Sequence, residues 1–375
     1  MIRISHRPDI AAPWLERFRG RRPSCVCVLG FTETGLVPGI SAAGATPADR
    51  QTTAIADAEF LYYGPRLQAR HALPPLQAGA SPAVISRAVI AGQAIPLQLV
   101  NAGLPQPPTV PHLELEGHPA RCVSTGHTLP KPIALQLFRQ GLRLGETLAQ
   151  ASAPGHLIVG ECVVGGTTTA LAVLKGLGVA ADGRVNSSHP NCNHRQKQAL
   201  VEAGLQQFAQ RFTLSSVPSP LDVWAGLGDP MQGVIAALAL TASQTTGVLL
   251  AGGTQMLAVY HLMGAIARAE GLSWNPDQVV VGTTRWVTDD PTGDTLGLAQ
   301  AVGAPLLTSE LSFAPSRYPQ LRAYEAGHVK EGVAAGGCAI AAHLYQNWRQ
   351  GELLSAIEAL MDASADLTKL KSSED

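Results

Sequence analysis

No excess of either charge marks this chain. Its 375 residues carry 27 Lys+Arg against 28 Asp+Glu, a formal net charge of −1. Nucleic acids and anionic membranes select basic patches, so neither is an expected partner. Charge of any sign is scarce, at 15% of residues, while 46% are hydrophobic. That apolar fraction argues against disorder and supplies an ample core. So little charge points to surface covered between subunits, and a homodimer is expected. Cysteine is sparse and scattered. Cys25, Cys27, Cys122, Cys162, Cys192 and Cys338 include no CxxC pair and lack the density of a secreted disulfide scaffold. Met1 to Ile10 contains Arg3, His6, Arg7 and Asp9 with no apolar centre, unlike a signal peptide. The expected location is the cytoplasm.

A membrane span is missing too, although one stretch imitates it. From Met231 to Ala267 no Asp, Glu, Lys or Arg occurs. The stretch is broken at Ser243-Gln244-Thr245-Thr246-Gly247 and at Gly252-Gly253-Thr254-Gln255. Neither apolar piece before the second break reaches the roughly 20 residues a span requires. Helix, buried strand and helix is the better reading, because strands covered on both faces are uniformly apolar.

What the chain does have is a recurring turn. His156-Leu157-Ile158-Val159-Gly160-Glu161 leads to Gly165-Gly166-Thr167-Thr168-Thr169. Gly247-Val248-Leu249-Leu250-Ala251 leads to Gly252-Gly253-Thr254, and Gln278-Val279-Val280-Val281 to Gly282-Thr283-Thr284. The first two are followed directly by apolar helical patterns. A buried strand, a glycine turn and a helix start present free N–H groups and the positive end of a helix dipole to an anion. In a parallel sheet such turns share one rim, at the carboxyl ends of the strands. A phosphorylated small molecule is the expected ligand.

Strands expected at Cys25–Leu29, Ile95–Val100 and Pro305–Leu311 alternate with helices, implying a doubly wound, mostly parallel α/β sheet of Rossmann-like type. Prolines interrupt every pattern from Gly103 to Pro132, which reads as a long crossover. Residues 1–317 are expected to form the core, with a helical N-terminal part. Residues 318–375, helical from Tyr318 except at Gly336-Gly337 and Gly351, would complete a smaller helical subdomain.

Each motif admits more than one role. Gly160 to Thr167 has P-loop spacing, but Gly166 stands where lysine would reach the phosphates, which argues against nucleoside triphosphate hydrolysis. A backbone cradle for one phosphate remains, as does a plain strand-to-helix turn. Glu161 ends an apolar strand, where a carboxylate is costly unless paired or functional. Glu331, among small residues in Lys330-Glu331-Gly332-Val333-Ala334-Ala335-Gly336-Gly337, is either a general base or a helix-start carboxylate. His189, Cys192 and His194 are one ligand short of a structural zinc site, so no metal and no cofactor is expected. Lys197 either faces a rim phosphate or is solvated.

These segments resemble one known family, the nicotinate-nucleotide–dimethylbenzimidazole phosphoribosyltransferases. Gly160-Glu161 with Gly165 to Thr169 is similar to that family's Gly-Glu…Gly-Asn-Thr-Thr segment. Lys330-Glu331-Gly332 and the small residues after it resemble its Gly-Glu-Gly-Thr-Gly segment, where the glutamate is the general base. Ala251-Gly252-Gly253 stands in place of its Asp-Gly-Phe turn, and Lys197 in place of its phosphate-binding lysine. Ile40-Ser41-Ala42-Ala43-Gly44-Ala45-Thr46-Pro47 resembles a divergent archaeal and cyanobacterial branch. The resemblance implies a pentosyltransferase whose partners are nicotinate mononucleotide and an aromatic base, dimethylbenzimidazole or a relative such as adenine. The product would be an α-ribotide for the lower ligand of a cobamide. Glu331 and Glu161 would be catalytic. Gly165, Gly166, Thr167, Thr168, Lys197, Gly252, Gly253 and Thr254 would hold the phosphate.

Overall fold

A computed structural model describes residues 1–74, 76, 78–212 and 217–374. Eight strands form one sheet: β1 (Ile2–His6), β2 (Ser24–Leu29), β3 (Leu97–Asn101), β4 (Leu113–Glu114), β5 (His156–Cys162), β6 (Gly247–Ala251), β7 (Val279–Thr284) and β8 (Leu306–Ser309). Their spatial order is β1-β8-β7-β6-β5-β2-β3-β4. All neighbours are parallel except β1, which runs antiparallel along β8. From β2 the chain runs outward to β3 and β4, then returns to β5 on the other side of β2. Strand order therefore reverses between β2 and β5, where a doubly wound sheet opens a ligand crevice.

Helices cover both faces, which is why β5, β6 and β7 are buried along their whole length. One apolar layer includes the helices Lys131–Ser152, Gly166–Gly176, Pro230–Ala242 and Thr254–Glu270. The other includes Pro8–Phe18, Pro47–Tyr63, Ala83–Gly92, Ala335–Gln346 and the start of Gln350–Glu374. Local chemistry sets several helix starts. Thr46 and Asp49 form a capping box before Pro47, and Asp229 with Gln232 does the same before Pro230. Among the described residues no helix is long and apolar enough to cross a membrane.

Two departures from the sequence reading have clear causes. Strand β1 is additional, because an edge strand half open to solvent carries no apolar run. The C-terminal break does not fall at Gly336-Gly337. The chain breaks before them and again at 347–349, so both glycines are inside the helix Ala335–Gln346 and Gly351, the other expected break, is inside Gln350–Glu374. A Cβ on Gly337 would lie 2.3 Å from the Ala251 Cβ, so this glycine serves close helix-to-sheet packing.

One buried group makes a pH test of the core. His156 is 0% exposed, packs against Trp14 and Phe18 at 5.0 and 5.4 Å, and neither ring nitrogen has a partner among the described residues. Burial pushes its pKa down to about 3. The unfolded chain therefore binds the extra proton first, and stability present above pH ~6.5 is lost as pH falls. Burial raises the carboxyls of Asp57, Asp229 and Glu161, which act in the opposite direction. A difference measurement isolates the histidine. His156→Phe should gain on the wild type by up to about 1.4 kcal/mol per pH unit below pH ~6.5. Urea melts of both proteins at pH 7 and 5 check this, and a pH-independent difference would refute it.

Candidate active site

A cleft lies at the carboxyl ends of β5, β6 and β7, beside the β2/β5 reversal. Gly165, Gly166 and Thr167 line it after β5, Gly253, Thr254 and Gln255 after β6, and Lys330 to Val333 close over it. The helices Gly166–Gly176 and Thr254–Glu270 both start here, on Gly165 and Gly253, and no side chain caps either. Two helix N-termini thus open into one cleft, an arrangement suited to an anion.

The P-loop spacing acquires a different meaning. A Cβ on Gly166 would lie 1.9 Å from Oε1 of Gln255, so a side chain there would displace the Gln255 amide. Gln255 in turn donates from Nε2 to Oε1 of Glu161. The turn is shaped around a glutamate–glutamine pair.

Glu161, at the end of β5, is 3% exposed. Its Oε2 accepts the Val163 N–H at 2.9 Å. Burial first, then the neighbouring Asp229, pushes its carboxyl up to about 8, while the Val163 bond works the other way. Glu331 is held differently. Its Oε2 accepts from Thr283 Oγ1 (2.8 Å) and Thr284 N (2.9 Å), and its Oε1 from Gly336 N (2.9 Å) and Gly332 N (3.2 Å). Removal from water raises this carboxyl, and the four donors oppose the rise. The bond to Gly336 also satisfies an N–H at the start of the helix Ala335–Gln346, so Glu331 does serve a helix start. The two glutamates, 170 positions apart, are joined by main chain, Val333 N donating to Glu161 O at 3.1 Å.

Other expected residues are distributed unevenly. Thr168 is buried, its hydroxyl without a partner among the described residues. Gly252 precedes the cleft wall and donates its N–H to Gly282 O. Lys197 is neither solvated nor on the wall. It is 0% exposed and donates from Nζ to Val185 O (2.5 Å) and Asn186 O (2.8 Å), behind the cleft-lining segment Asn186-Ser187-Ser188. Burial lowers its pKa to about 8. Lys330, which does line the cleft, pairs with Asp290. Two buried lysines against one aspartate leave this wall electropositive. His189 Nε2 lies 3.0 Å from Gly39 O, Cys192 Sγ contacts Asp290, and His194 Nε2 contacts Thr292 O. Among the described residues no group of three His, Cys, Asp or Glu is placed to hold a metal ion.

Sequence reasoning passed over Gln255, Thr283, Asp290, Asp229 and Asp57. Of these, Gln255 and Thr283 had a legible signal, each a polar side chain in or directly after a glycine turn. Asp229 is 0% exposed, and takes the Thr169 hydroxyl at 2.6 Å and the Met231 N–H at 3.1 Å.

Comparison with solved structures supports the fold. A nicotinate-nucleotide–dimethylbenzimidazole phosphoribosyltransferase of Thermus thermophilus matches with a TM-score of 0.55 at 16% identity, over 96% of this chain and 92% of that one. A structure of CobT from the same organism gives 0.55 at 18% identity, over 92% of each chain. No family model matches the sequence. Among curated relatives, a UPF0284 protein of Cyanothece sp. (strain PCC 7425) is 60% identical over 362 residues, 96% of this chain and 97% of its own length. A UPF0284 protein of Acaryochloris marina is 56% identical over 363 residues, 96% of this chain and 98% of its own. The chain belongs to the UPF0284 family.

Proposed function

We propose that this protein transfers the 5-phosphoribosyl group of nicotinate mononucleotide to a ring nitrogen of an aromatic base, releasing nicotinate and an α-ribotide. The observation that carries this reading is the meeting of two uncapped helix N-termini and two glutamates in one cleft. Phosphate would sit on the N–H groups after Gly165 and Gly253, with Lys330 and Lys197 supplying positive potential from behind. The glycosidic bond breaks with its electron pair going to the pyridinium nitrogen, which leaves neutral and needs no acid. The incoming nitrogen bonds to the vacated carbon and its proton goes to Glu331. The Thr283 hydroxyl can rotate off Oε2 to free a lone pair for that proton, while three backbone donors keep the carboxylate aimed. Glu161, its carboxyl raised to about 8, would assist or orient the reacting groups through its hydrogen bonds. The product suits assembly of a cobamide lower ligand, dimethylbenzimidazole or adenine being candidate bases.

Incubation with nicotinate mononucleotide and a panel of bases, followed by mass spectrometry, tests this directly. Nicotinate and a base ribotide are expected in equal amounts. Tight nucleotide binding without turnover of any base would instead identify a non-catalytic nucleotide-binding protein.

A further inference from the structure

Besides the two glutamates, the cleft is lined by apolar side chains, Pro74, Leu76, Pro82, Val329 and Val333 among them, and by a third acid, Asp57. Asp57 lies on the helix Pro47–Tyr63 and is 4% exposed. Its donors are few. Ser81 Oγ donates to Oδ1 at 2.7 Å, and the Cys162 thiol donates to Oδ2 at 3.3 Å. The Ser81 direction is set locally, since its oxygen already accepts the Ala83 N–H at 3.2 Å. Burial raises the Asp57 carboxyl to about 6, and no cation offsets the cost among the described residues.

The other acids of this region are better provided. Glu331 has four donors, Asp290 has a lysine, and Glu161 and Asp229 each accept a backbone N–H. A carboxylate offers about four acceptor positions. One hydroxyl and one weak thiol leave Asp57 under-satisfied in a wall that would otherwise suit a flat hydrocarbon. A buried acceptor of this kind is costly unless a ligand donor completes it.

We propose that Asp57 selects the acceptor base, and that this site takes an aromatic base bearing an N–H or O–H donor on the edge away from its reacting nitrogen. The inference rests on the phosphoribosyl-transfer reading for the identity of the ligand as an acceptor. It goes further in ranking a base whose far edge carries only methyl groups well below one that carries a donor there. Such a base would bury the Asp57 oxygens against carbon, whereas an amino or hydroxyl group would pair with them. Sites built to hydrogen-bond a substrate donor reject the analogue lacking it far more strongly than apolar pockets sort methyl groups.

The test uses bases on one scaffold: 5-aminobenzimidazole and 5-hydroxybenzimidazole against 5,6-dimethylbenzimidazole. Each is measured with nicotinate mononucleotide for kcat/KM, and by calorimetry for binding in its presence. The wild type should favour the donor-bearing pair by at least about 100-fold. Asp57→Leu should remove that preference and leave the KM for nicotinate mononucleotide unchanged. Asp57→Asn retains size and one acceptor, so it should fold normally and fall between the two. A wild type that prefers the dimethyl base, or a ratio unchanged in Asp57→Leu and Asp57→Asn, overturns the role of Asp57 while leaving phosphoribosyl transfer intact. Preferential binding of donor-bearing bases without turnover of any overturns the transfer reading and supports the selectivity. Binding of neither set overturns both.

Discussion

Glu331→Gln is expected to lower turnover by about 10²–10⁴-fold and, in the same variant, to lower the thermal midpoint. The rate loss follows from removing the proposed proton acceptor. The stability loss follows from the hydrogen bonds. Both carboxylate oxygens of Glu331 face donors, Thr283 and Thr284 on one side and Gly332 and Gly336 on the other. An amide has one acceptor oxygen, so its NH₂ must confront N–H groups whichever way it is turned. Leaving buried donors unmatched costs about 1–3 kcal/mol. Glu161→Gln is the contrasting control. Gln255 Oε1 is buried without a partner, and rotating that amide would let it accept from a glutamine at 161. The wild-type Glu161 carboxyl is raised to about 8. Its contribution to stability is full below its unfolded pKa and is lost as pH rises through 8. The glutamine escapes that loss, so Glu161→Gln should be more stable than the wild type at pH 7, with reduced turnover. Single-turnover rates and thermal midpoints of both variants separate the roles. A Glu331→Gln protein that is destabilised but reacts at a near-normal rate would leave Glu331 as a helix-start carboxylate and move the proton to Glu161.

Much of the scaffold was legible because its signals are local. The apolar runs of β5, β6 and β7 read as buried strands. The glycine turns indicated where a rim would form, and two of them line one cleft. What stayed hidden depends on distant partners. Nothing near Lys197 in the chain says that two carbonyls, at Val185 and Asn186, enclose its ammonium. Asp57 sits between Ala56 and Ala58 in the helix Pro47–Tyr63, and its carboxyl becomes unusual only when β5 brings Cys162 beside it. The run of small residues after Glu331 suggested helix-breaking glycines, yet the chain departs from helix at residues that carry side chains. Val329, Lys330, Val333 and Ala334 all have positive φ, from 51° to 72°. Side-chain type gives no warning of this, since β-branched residues disfavour that region and only tertiary contacts hold them there.

Those contacts make Lys330→Met the second large expectation, a loss of about 3–5 kcal/mol of stability. Lys330 is 1% exposed and its Nζ lies 2.5 Å from Oδ2 of Asp290. Burial alone would raise the Asp290 carboxyl. Lys330, Thr292 and Asn186 outweigh it and hold the group at about 2. Methionine matches the length of the lysine stem but strands a buried anion, and breaking such a pair from one side costs far more than the pair is worth. The same pair helps to pin a left-handed segment, together with Thr284 Oγ1 donating to Lys330 O and Ser86 Oγ donating to Val333 O. Releasing it should let Val329 and Val333 relax toward β-region angles and pull Glu331 from its four donors. Turnover should therefore fall along with stability. The pH dependence has a definite sign. Asp290 is depressed in the folded state, so its stabilisation is present above pH ~3.8 and lost as pH falls through about 2. The deficit of Lys330→Met should be largest near neutrality and shrink in acid, where the stranded carboxyl takes a proton. Adding Asp290→Asn removes the unpaired charge and should recover much of the stability, because replacing both partners of a buried pair by neutral groups is often close to neutral. Urea unfolding of the wild type, both single variants and the double variant at pH 7 and 4 measures the coupling. Additive losses in the double variant would show that Lys330 and Asp290 act independently and that the segment carrying Glu331 is held by its backbone contacts alone.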